Sequence, residues 1–329
     1  MKKLLLPGLL CAVFLLSGKV SIGQKNSDSL VQKNSDSLAQ KSPDTLAQKN
    51  PDSLARKIPD YDIFPKKSYW QVGINYLSDN VYLGRKDSVK IPYISPSIAY
   101  YDKSGFYMNG SLSFLPASGN SHIDLVTLEA GYSFTINDFE GQIAADKFFY
   151  NSKSTNVRSE VKGGLNSMLG YNFGFIKPTV QGGISFGKST DYSLALGLEH
   201  TFYLVDDKID VTPQGLANFS TQNFYGSYYN RRRYTGKRKR KSTGILYYDI
   251  SADVSNVSKF KLLDYEFSAP INYTCGKWVF NFTPTIAIPE NPAEVTLHFQ
   301  PSTGLPFSRT FREKLGESFF FQAGITYQL

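Results

Sequence analysis

Carboxylate side chains recur in this sequence inside segments that alternate between apolar and polar residues. Glu129, Glu199 and Glu266 each follow a large apolar or aromatic residue. Because side chains along a strand point alternately to its two faces, these carboxylates should lie opposite their apolar neighbours. Acidic groups that converge on the inside of a barrel attract cations. The carboxylates predicted to face such an interior are Glu129, Glu140, Asp146, Glu160, Glu199, Asp210, Asp264 and Glu266.

Two interpretations of this acidic set stay open. Structural ion pairs can fill a narrow interior, although alternation places only Lys162 clearly inward as a basic partner. Alternatively, the same carboxylates would give a water-filled passage a preference for cations.

A dense basic patch lies between Arg231 and Lys241. Its eight positive charges equal the formal net charge of the whole chain, +8, so the remaining charges balance. Beside several tyrosines, such a patch could bind nucleic acid, or lipopolysaccharide and surface glycans through phosphate pairing. It could also be a solvated loop. The export signal described below argues against nucleic acid. The patch consists of Arg231, Arg232, Arg233, Lys237, Arg238, Lys239, Arg240 and Lys241.

Candidate catalytic groups are few. The histidines are His122, His200 and His298, and no serine stands at an offset that would make a nucleophile recognisable; triads are defined by geometry rather than by sequence position. The sequence contains no Gly-rich phosphate loop, no Cys/His metal spacing and no dinucleotide fingerprint. We therefore predict no catalytic residues, no metal and no cofactor, and a protein that is not an enzyme.

The elements that must position these groups are alternating strands. In the stretch Ser318–Leu329, one alternate set is apolar and aromatic while the other is mostly small and polar. About ten residues with this two-residue repeat can cross a membrane as a strand, apolar toward lipid and polar toward the lumen. The pattern begins near Tyr69 and continues to the end of the chain without helical periodicity, which predicts an all-β domain.

Short and long connections join these strands. Tight turns are expected at Lys103-Ser104-Gly105, Asn137-Asp138, Ile176-Lys177, Asp206-Asp207-Lys208 and Gly276-Lys277; longer connections are expected near Asp79–Pro92, Pro116–His122, Asn151–Asn156, Lys188–Tyr192, Gln222–Ser258 and Pro289–Glu317. Five turns and six loops join twelve strands, an even number that suits a closed antiparallel barrel. Residues 67–329 are therefore predicted to form one twelve-stranded antiparallel transmembrane β-barrel. Prolines within the strand segments predict strand ends or bulges.

The N-terminal part of the chain predicts export and a tether. Two lysines, an apolar run over Leu4–Leu16 and small residues before Gln24 are typical of a signal peptide, residues 1–23. Residues 24–66 repeat an octapeptide such as QKNSDSLA, whose low apolar content and prolines predict a disordered periplasmic tether. An array that binds a ligand is the alternative. Removal of the signal leaves Cys275 as the only cysteine, so no internal disulfide is expected.

The signal, the aromatic final strand, the short inner turns and the long outer loops together resemble Gram-negative outer-membrane β-barrel proteins. The resemblance covers Tyr69–Leu329 and concerns architecture rather than a specific activity. It implies membrane lipid, lipopolysaccharide and the barrel assembly machinery as partners, although this chain ends in Leu329 and not in an aromatic residue. The expected function is a small pore for polar solutes with a weak cation preference. The alternative is a surface protein that transports nothing and binds polyanions or partner proteins through its outer loops.

Overall fold

The computed structural model describes residues 67–116, 121–229, 248–301 and 304–329. The predicted signal peptide, the repeat segment and the basic patch Arg231–Lys241 lie outside these residues. The strands are β1 (Tyr69–Leu77), β2 (Tyr93–Tyr101), β3 (Phe106–Leu115), β4 (His122–Ile136), β5 (Phe139–Tyr150), β6 (Val161–Tyr171), β7 (Lys177–Gly187), β8 (Thr190–Glu199), β9 (Phe202–Leu204), β10 (Ile209–Val211), β11 (Gln214–Ser220), β12 (Tyr248–Val254), β13 (Lys261–Ser268), β14 (Ile271–Cys275), β15 (Trp278–Pro289), β16 (Glu294–Pro301), β17 (Phe307–Arg312) and β18 (Ser318–Gln328). The helices are a 3-10 helix (Val157–Glu160) and α1 (Asn223–Tyr229).

Twelve of these strands close into one antiparallel ring. Strands β1 to β8 pair in chain order, and the ring continues through β11, β13, β15 and β18, which pairs back with β1. The short strands β9, β10 and β14 extend the barrel at the end that carries the tight turns. The predicted twelve-stranded antiparallel barrel is therefore confirmed. We call the end with the tight turns the inner end and the end with the long loops the outer end.

The outward face of the ring is apolar, as the two-residue repeat predicts. On β4, Leu128 is 51% exposed while its neighbour Glu129 points to the other face, and the same alternation follows β1 and β13. At the inner end, aromatic pairs such as Trp278 with Tyr327, whose ring centroids lie 4.6 Å apart, mark the position of a membrane interface. An apolar face of this extent would be costly in water and is stable in lipid, so the architecture-level resemblance to outer-membrane barrels is confirmed. Among the described residues, no helix is long and apolar enough to cross a membrane.

One predicted loop is wrong. The connection expected near Lys188–Tyr192 shrinks to Lys188 and Ser189, because β8 already begins at Thr190 and pairs with the end of β7. The polar sequence there suggested a loop. Its aspartate, Asp191, is instead buried and accepts hydrogen bonds from the first backbone N–H groups of α1. Asp191 is therefore a polar residue inside a strand because its carboxylate accepts hydrogen bonds from N–H groups that have no partner within the helix.

The five prolines within the predicted strand segments fall into two groups by their place in the strand pairing. Pro213 and Pro270 fall in two-residue breaks that separate β10 from β11 and β13 from β14, as expected for a residue that cannot donate to the ladder. Pro96, Pro178 and Pro284 lie inside strands, and each is paired with one neighbouring strand but left out of the ladder with the other.

The orientation of the barrel predicts which connections can be reached from outside the cell. Epitope tags inserted at Gly236 or Ser302, in long outer connections, should bind antibody on intact cells. Tags at Ser104 or Asp207, in inner turns, should bind only after the outer membrane is permeabilised. Antibody binding to the second pair on intact cells would mean that the barrel is inverted.

Candidate functional site

The first long loop, L1 (residues 79–92), folds into the barrel and not away from it. Its tip is a tight turn in which the backbone groups of Tyr82 and Arg85 pair with each other. Gly84 in this turn has a φ of +71°, and a Cβ on it would lie 2.8 Å from Pro289 Cβ and 2.9 Å from Asp264 Cβ. Only glycine allows this close approach in this backbone conformation. L1 therefore presses against the wall formed by β13 and the end of β15.

The connection between β5 and β6 brings an arginine to the same place. Asn156 caps the 3-10 helix by accepting a hydrogen bond from the Arg158 backbone N–H at 2.8 Å. The Arg158 side chain is 2% exposed, and its guanidinium lies 4.0 Å from the centroid of the Phe148 ring and 5.2 Å from that of Tyr82. A buried cation between two aromatic rings replaces part of its lost hydration with cation–π contacts. Arg158 thus connects L1 to the wall at β5.

Helix α1 is the third segment that packs at this place. It begins at Asp191 of β8 and contacts the 3-10 helix that connects β5 to β6. The Tyr225 hydroxyl donates to Glu313 Oε1, and Arg85 lies 5.2 Å from the centroid of the Tyr225 ring and 3.5 Å from Glu313 Oε2. Burial and the neighbouring Glu313 carboxylate raise the pKa of Tyr225 well above its usual value, so its hydroxyl keeps the proton that it donates.

These three segments form one packed body, which we call the plug: the L1 turn Tyr82–Arg85, the 3-10 helix Val157–Glu160 and α1. Half of the residues in its core are aromatic and the rest are aliphatic, and the core is covered from outside by a three-stranded outer sheet in the order β12–β16–β17. Through Phe148 of β5, Asp191 of β8 and Asp264 of β13, the plug contacts well-separated strands of the ring and extends across the outer end of the bore. The buried residues of this core are Tyr82, Leu125, Phe148, Val157, Val161, Phe224, Tyr225, Tyr228, Tyr229, Ala252, Ala293 and Val295.

Below the plug, the interior is polar. Near the inner end, Lys177 Nζ lies 2.8 Å from Glu140 Oε2 and 2.6 Å from Glu199 Oε1. Lys177 of β7 therefore bridges two of the predicted carboxylates, one on β5 and one on β8. The sequence placed Lys177 in a turn and gave no sign of this role. Lys162, which was predicted to be the inward basic residue, lies at a bulge of β6 and is exposed.

Halfway along the bore, Glu129 of β4 and Asp146 of β5 are direct cross-strand partners on the interior face. Asp146 accepts a hydrogen bond from Asn166. Asp264 and Glu266 lie on the interior face of β13, where Asp264 is fully buried beneath Gly84, and Asp210 at the inner end accepts from Asn272 at 2.8 Å. The structure thus brings the predicted carboxylates together as separate small groups and not as one ring.

Glu160 is an exception to the predicted set. It lies in the 3-10 helix of the plug and not in a strand, so the alternation argument does not apply to it. It is buried, with Lys188 Nζ at 3.7 Å from Oε2.

The histidines show one arrangement that resembles a catalytic set. In the outer sheet, His298 Nδ1 lies 2.8 Å from Ser308 Oγ and His298 Nε2 lies 2.9 Å from Asp253 Oδ2. The three side chains stand on the solvent-facing side of an open sheet, with His298 and Asp253 both exposed. We interpret them as a cross-strand polar ladder that stabilises the sheet. Among the described residues, no group of three or more His, Cys, Asp or Glu side chains could hold a metal ion.

The chain matches no protein-family model and no curated protein sequence. Solved structures with a similar fold include a bacterial polysaccharide outer membrane secretin, at 7% identity and a TM-score of 0.33 over 80% of this chain and 98% of that chain. The CymD monoaromatic hydrocarbon channel gives 10% identity and 0.34 over 81% and 89%, and OmpF of Salmonella typhi in complex with daunomycin gives 9% and 0.29 over 80% and 97%. At these TM-scores the similarity supports no statement about the function of this chain, and the barrel assignment rests on the strand pairing itself.

Proposed function

We propose that this chain is an outer-membrane barrel that passes small polar solutes when its plug moves. The single observation that supports the proposal is the division of the interior, which is polar and acidic from the inner end upward and has the packed plug across its outer end. A barrel that served only as a scaffold could fill its whole interior with ion pairs. Here the plug is held to the wall by aromatic packing and a few buried arginine contacts, which a shift of one loop would break.

The acidic lumen supports a cation preference for the open passage. Glu129 and Asp146 face each other across neighbouring strands with neutral hydrogen-bond partners such as Asn166. Glu140 and Glu199 share Lys177 and contribute less net charge. We therefore assign selectivity to the first pair and a structural role to the second group, which reconciles the two interpretations of the acidic set.

Planar-bilayer recording of the full chain tests the proposal. The wild type should be closed for most of the time and show brief steps of uniform size, as expected for a plugged pore. A folded barrel that conducts no ions, even with the plug side chains truncated, would refute transport.

A second candidate function is a surface protein that binds polyanions. It is favoured by the position of the basic patch, which connects α1 of the plug to β12 of the outer sheet in the sequence. Lipopolysaccharide would then be the partner of Arg231–Lys241, and the barrel assembly machinery would act only during insertion.

The N-terminal proposals concern export and tethering. Residues 1–23 would be cleaved, and residues 24–66 would tether the barrel in the periplasm without packing against it. Deletion of Gln32–Ala55 should therefore leave assembly and the heat-resistant gel mobility of the barrel unchanged, because few contacts should depend on this segment. Loss of the folded band would show that the repeat is part of the folded structure.

A further inference from the structure

Arg158 of the plug is a buried cation that has no counter-charge in contact with it. Its side chain is 2% exposed, and its Nε–H has no hydrogen-bond partner. In the part of the chain that the structure describes, no carboxylate forms an ion pair with it, whereas Arg85 pairs with Glu313. Arginine keeps its charge in proteins, and the cation–π contacts offset only part of the cost of burial. Arg158 therefore lacks a hydrogen-bond acceptor.

The wall beside Arg158 carries a second donor without a partner. Strand β5 runs from the inner to the outer end, and its interior face carries Asp146, Phe148 and Tyr150 in that order. The Arg158 guanidinium lies over the Phe148 ring, and its charge acts on the other two side chains. The Tyr150 hydroxyl is buried and has no hydrogen-bond partner among the described residues. Two donors that need an acceptor therefore lie near each other, on the plug side of Asp146.

The carboxylates near these two donors are engaged elsewhere. Asp124 also acts on the Tyr150 hydroxyl, but it accepts a hydrogen bond from the Tyr93 hydroxyl. Asp146 accepts a hydrogen bond from Asn166. The acceptor that the two donors need therefore has to come from outside the chain.

The two ends of this place define a class of ligand. A guanidinium binds a carboxylate through two parallel hydrogen bonds, and the Tyr150 hydroxyl adds a third donor. Toward the inner end, Asp146 and its cross-strand partner Glu129 suit an ammonium group. Because Asp146 and Tyr150 are only four residues apart on one strand, a short molecule reaches both ends. A small zwitterion with one carboxylate and one ammonium group matches this arrangement.

We propose that Arg158 and Tyr150 bind the carboxylate of a small zwitterionic solute. Its ammonium group would lie against Asp146 and Glu129. The proposal rests on the pore function proposed above and names the class of solute that passes. Because the Tyr82 ring lies against Arg158 in the plugged barrel, the solute reaches the guanidinium only when L1 moves. Binding supplies the acceptors that the closed state lacks, so the solute stabilises the open state.

Planar-bilayer recording of the full chain with added glycine tests this proposal. The open fraction should rise with glycine and then saturate. Acetate and methylammonium carry one of the two charges each and should have little effect at the same concentrations. Arg158→Lys keeps the positive charge and loses the planar fork. It should raise the half-maximal glycine concentration by about tenfold or more, the effect of losing a hydrogen bond to a charged group.

Arg85→Lys is the matched control, because this second buried arginine of the plug already donates to the carbonyl oxygens of Leu83 and Asn291. Both substitutions loosen the plug. Loosening alone lowers the half-maximal glycine concentration, because the open state is then more populated. Arg85→Lys should therefore not raise this concentration, whereas Arg158→Lys should. A fall in both variants would overturn recognition by Arg158 and leave it as a structural cation.

The other outcomes separate this site from the pore itself. Equal responses to glycine and acetate would overturn the zwitterion. In a barrel that conducts, an open fraction that does not depend on glycine would overturn the site while transport stands, as expected if water alone fills it. For a barrel that does not conduct, calorimetric titration of the full chain with glycine decides. Saturable heat that Arg158→Lys abolishes would support the site without transport, and no heat would overturn it.

Discussion

Truncation of three plug rings, Phe224→Ser, Tyr225→Ser and Tyr228→Ser, is expected to convert a mostly closed barrel into a conducting one. All three side chains are buried in the core of the plug. The Tyr225 hydroxyl also donates a hydrogen bond to Glu313, and the Arg85 guanidinium lies over the Tyr225 ring. Loss of one buried aromatic ring costs about 3–5 kcal/mol, and every 1.4 kcal/mol changes an equilibrium about tenfold. The open fraction in planar-bilayer recordings should therefore rise by more than about tenfold.

The barrel itself should survive this change. The ring of twelve strands is closed by backbone pairing that does not involve α1, so heat-resistant mobility on gels should be retained. A matched control removes aromatic rings elsewhere: Phe173→Ser with Phe175→Ser, at the exposed inner turn between β6 and β7. The control should leave the open fraction unchanged. Equal conductance in the control and in the plug variant would contradict a closing role for α1.

Neutralisation of the central carboxylates, Glu129→Gln with Asp146→Asn, is expected to lower the cation-to-anion permeability ratio. These substitutions preserve shape and remove two charges that lie side by side on neighbouring strands of the wall. One unit charge at about 4 Å in water contributes about 1 kcal/mol, or about fivefold, so removal of two should lower the ratio by at least about fivefold. Reversal potentials are measured in the plug-truncated background, in which the lumen conducts.

The selectivity control removes the same charge outside the bore. Asp206→Asn with Asp207→Asn lies in the exposed turn between β9 and β10, at positions of positive φ that asparagine tolerates. This pair should leave the reversal potential unchanged. If the lumen variant keeps the wild-type preference in a conducting barrel, the carboxylates are structural partners and the cation preference is refuted.

The barrel could be predicted from the sequence because its signal is local. The alternation of apolar and polar residues is visible within each strand, and the pattern predicted to begin near Tyr69 does begin there, at the first residue of β1. The error at Lys188–Tyr192 arose because Asp191 looks like a loop residue until the helix that it caps is known. Local composition cannot reveal a partner that is more than thirty residues away.

The plug could not be predicted for the same reason. Tyr82, Arg158 and Phe224 come from three separate connections and meet only when the ring has closed. Their sequence contexts are ordinary loop contexts, with no periodicity that marks them as buried. The single local clue is the turn around Gly84, and a glycine in a loop does not show what its backbone approaches. The role of Lys177 between Glu140 and Glu199 likewise depends on strand register, which alternation alone does not fix.

Thiol accessibility is the most direct test of the proposed pore, in which the bore is open at the inner end and closed by the plug at the outer end. In the full chain with Cys11 and Cys275 replaced by serine, Gln142→Cys places a thiol on the interior face of β5, below the plug. A membrane-impermeant, positively charged methanethiosulfonate reagent should modify it rapidly from the periplasmic side and slowly from outside intact cells. The plug-truncated variant should react rapidly from both sides. Equally rapid modification of the plugged barrel from both sides would contradict the seal, and no modification from the periplasmic side would contradict an open inner half.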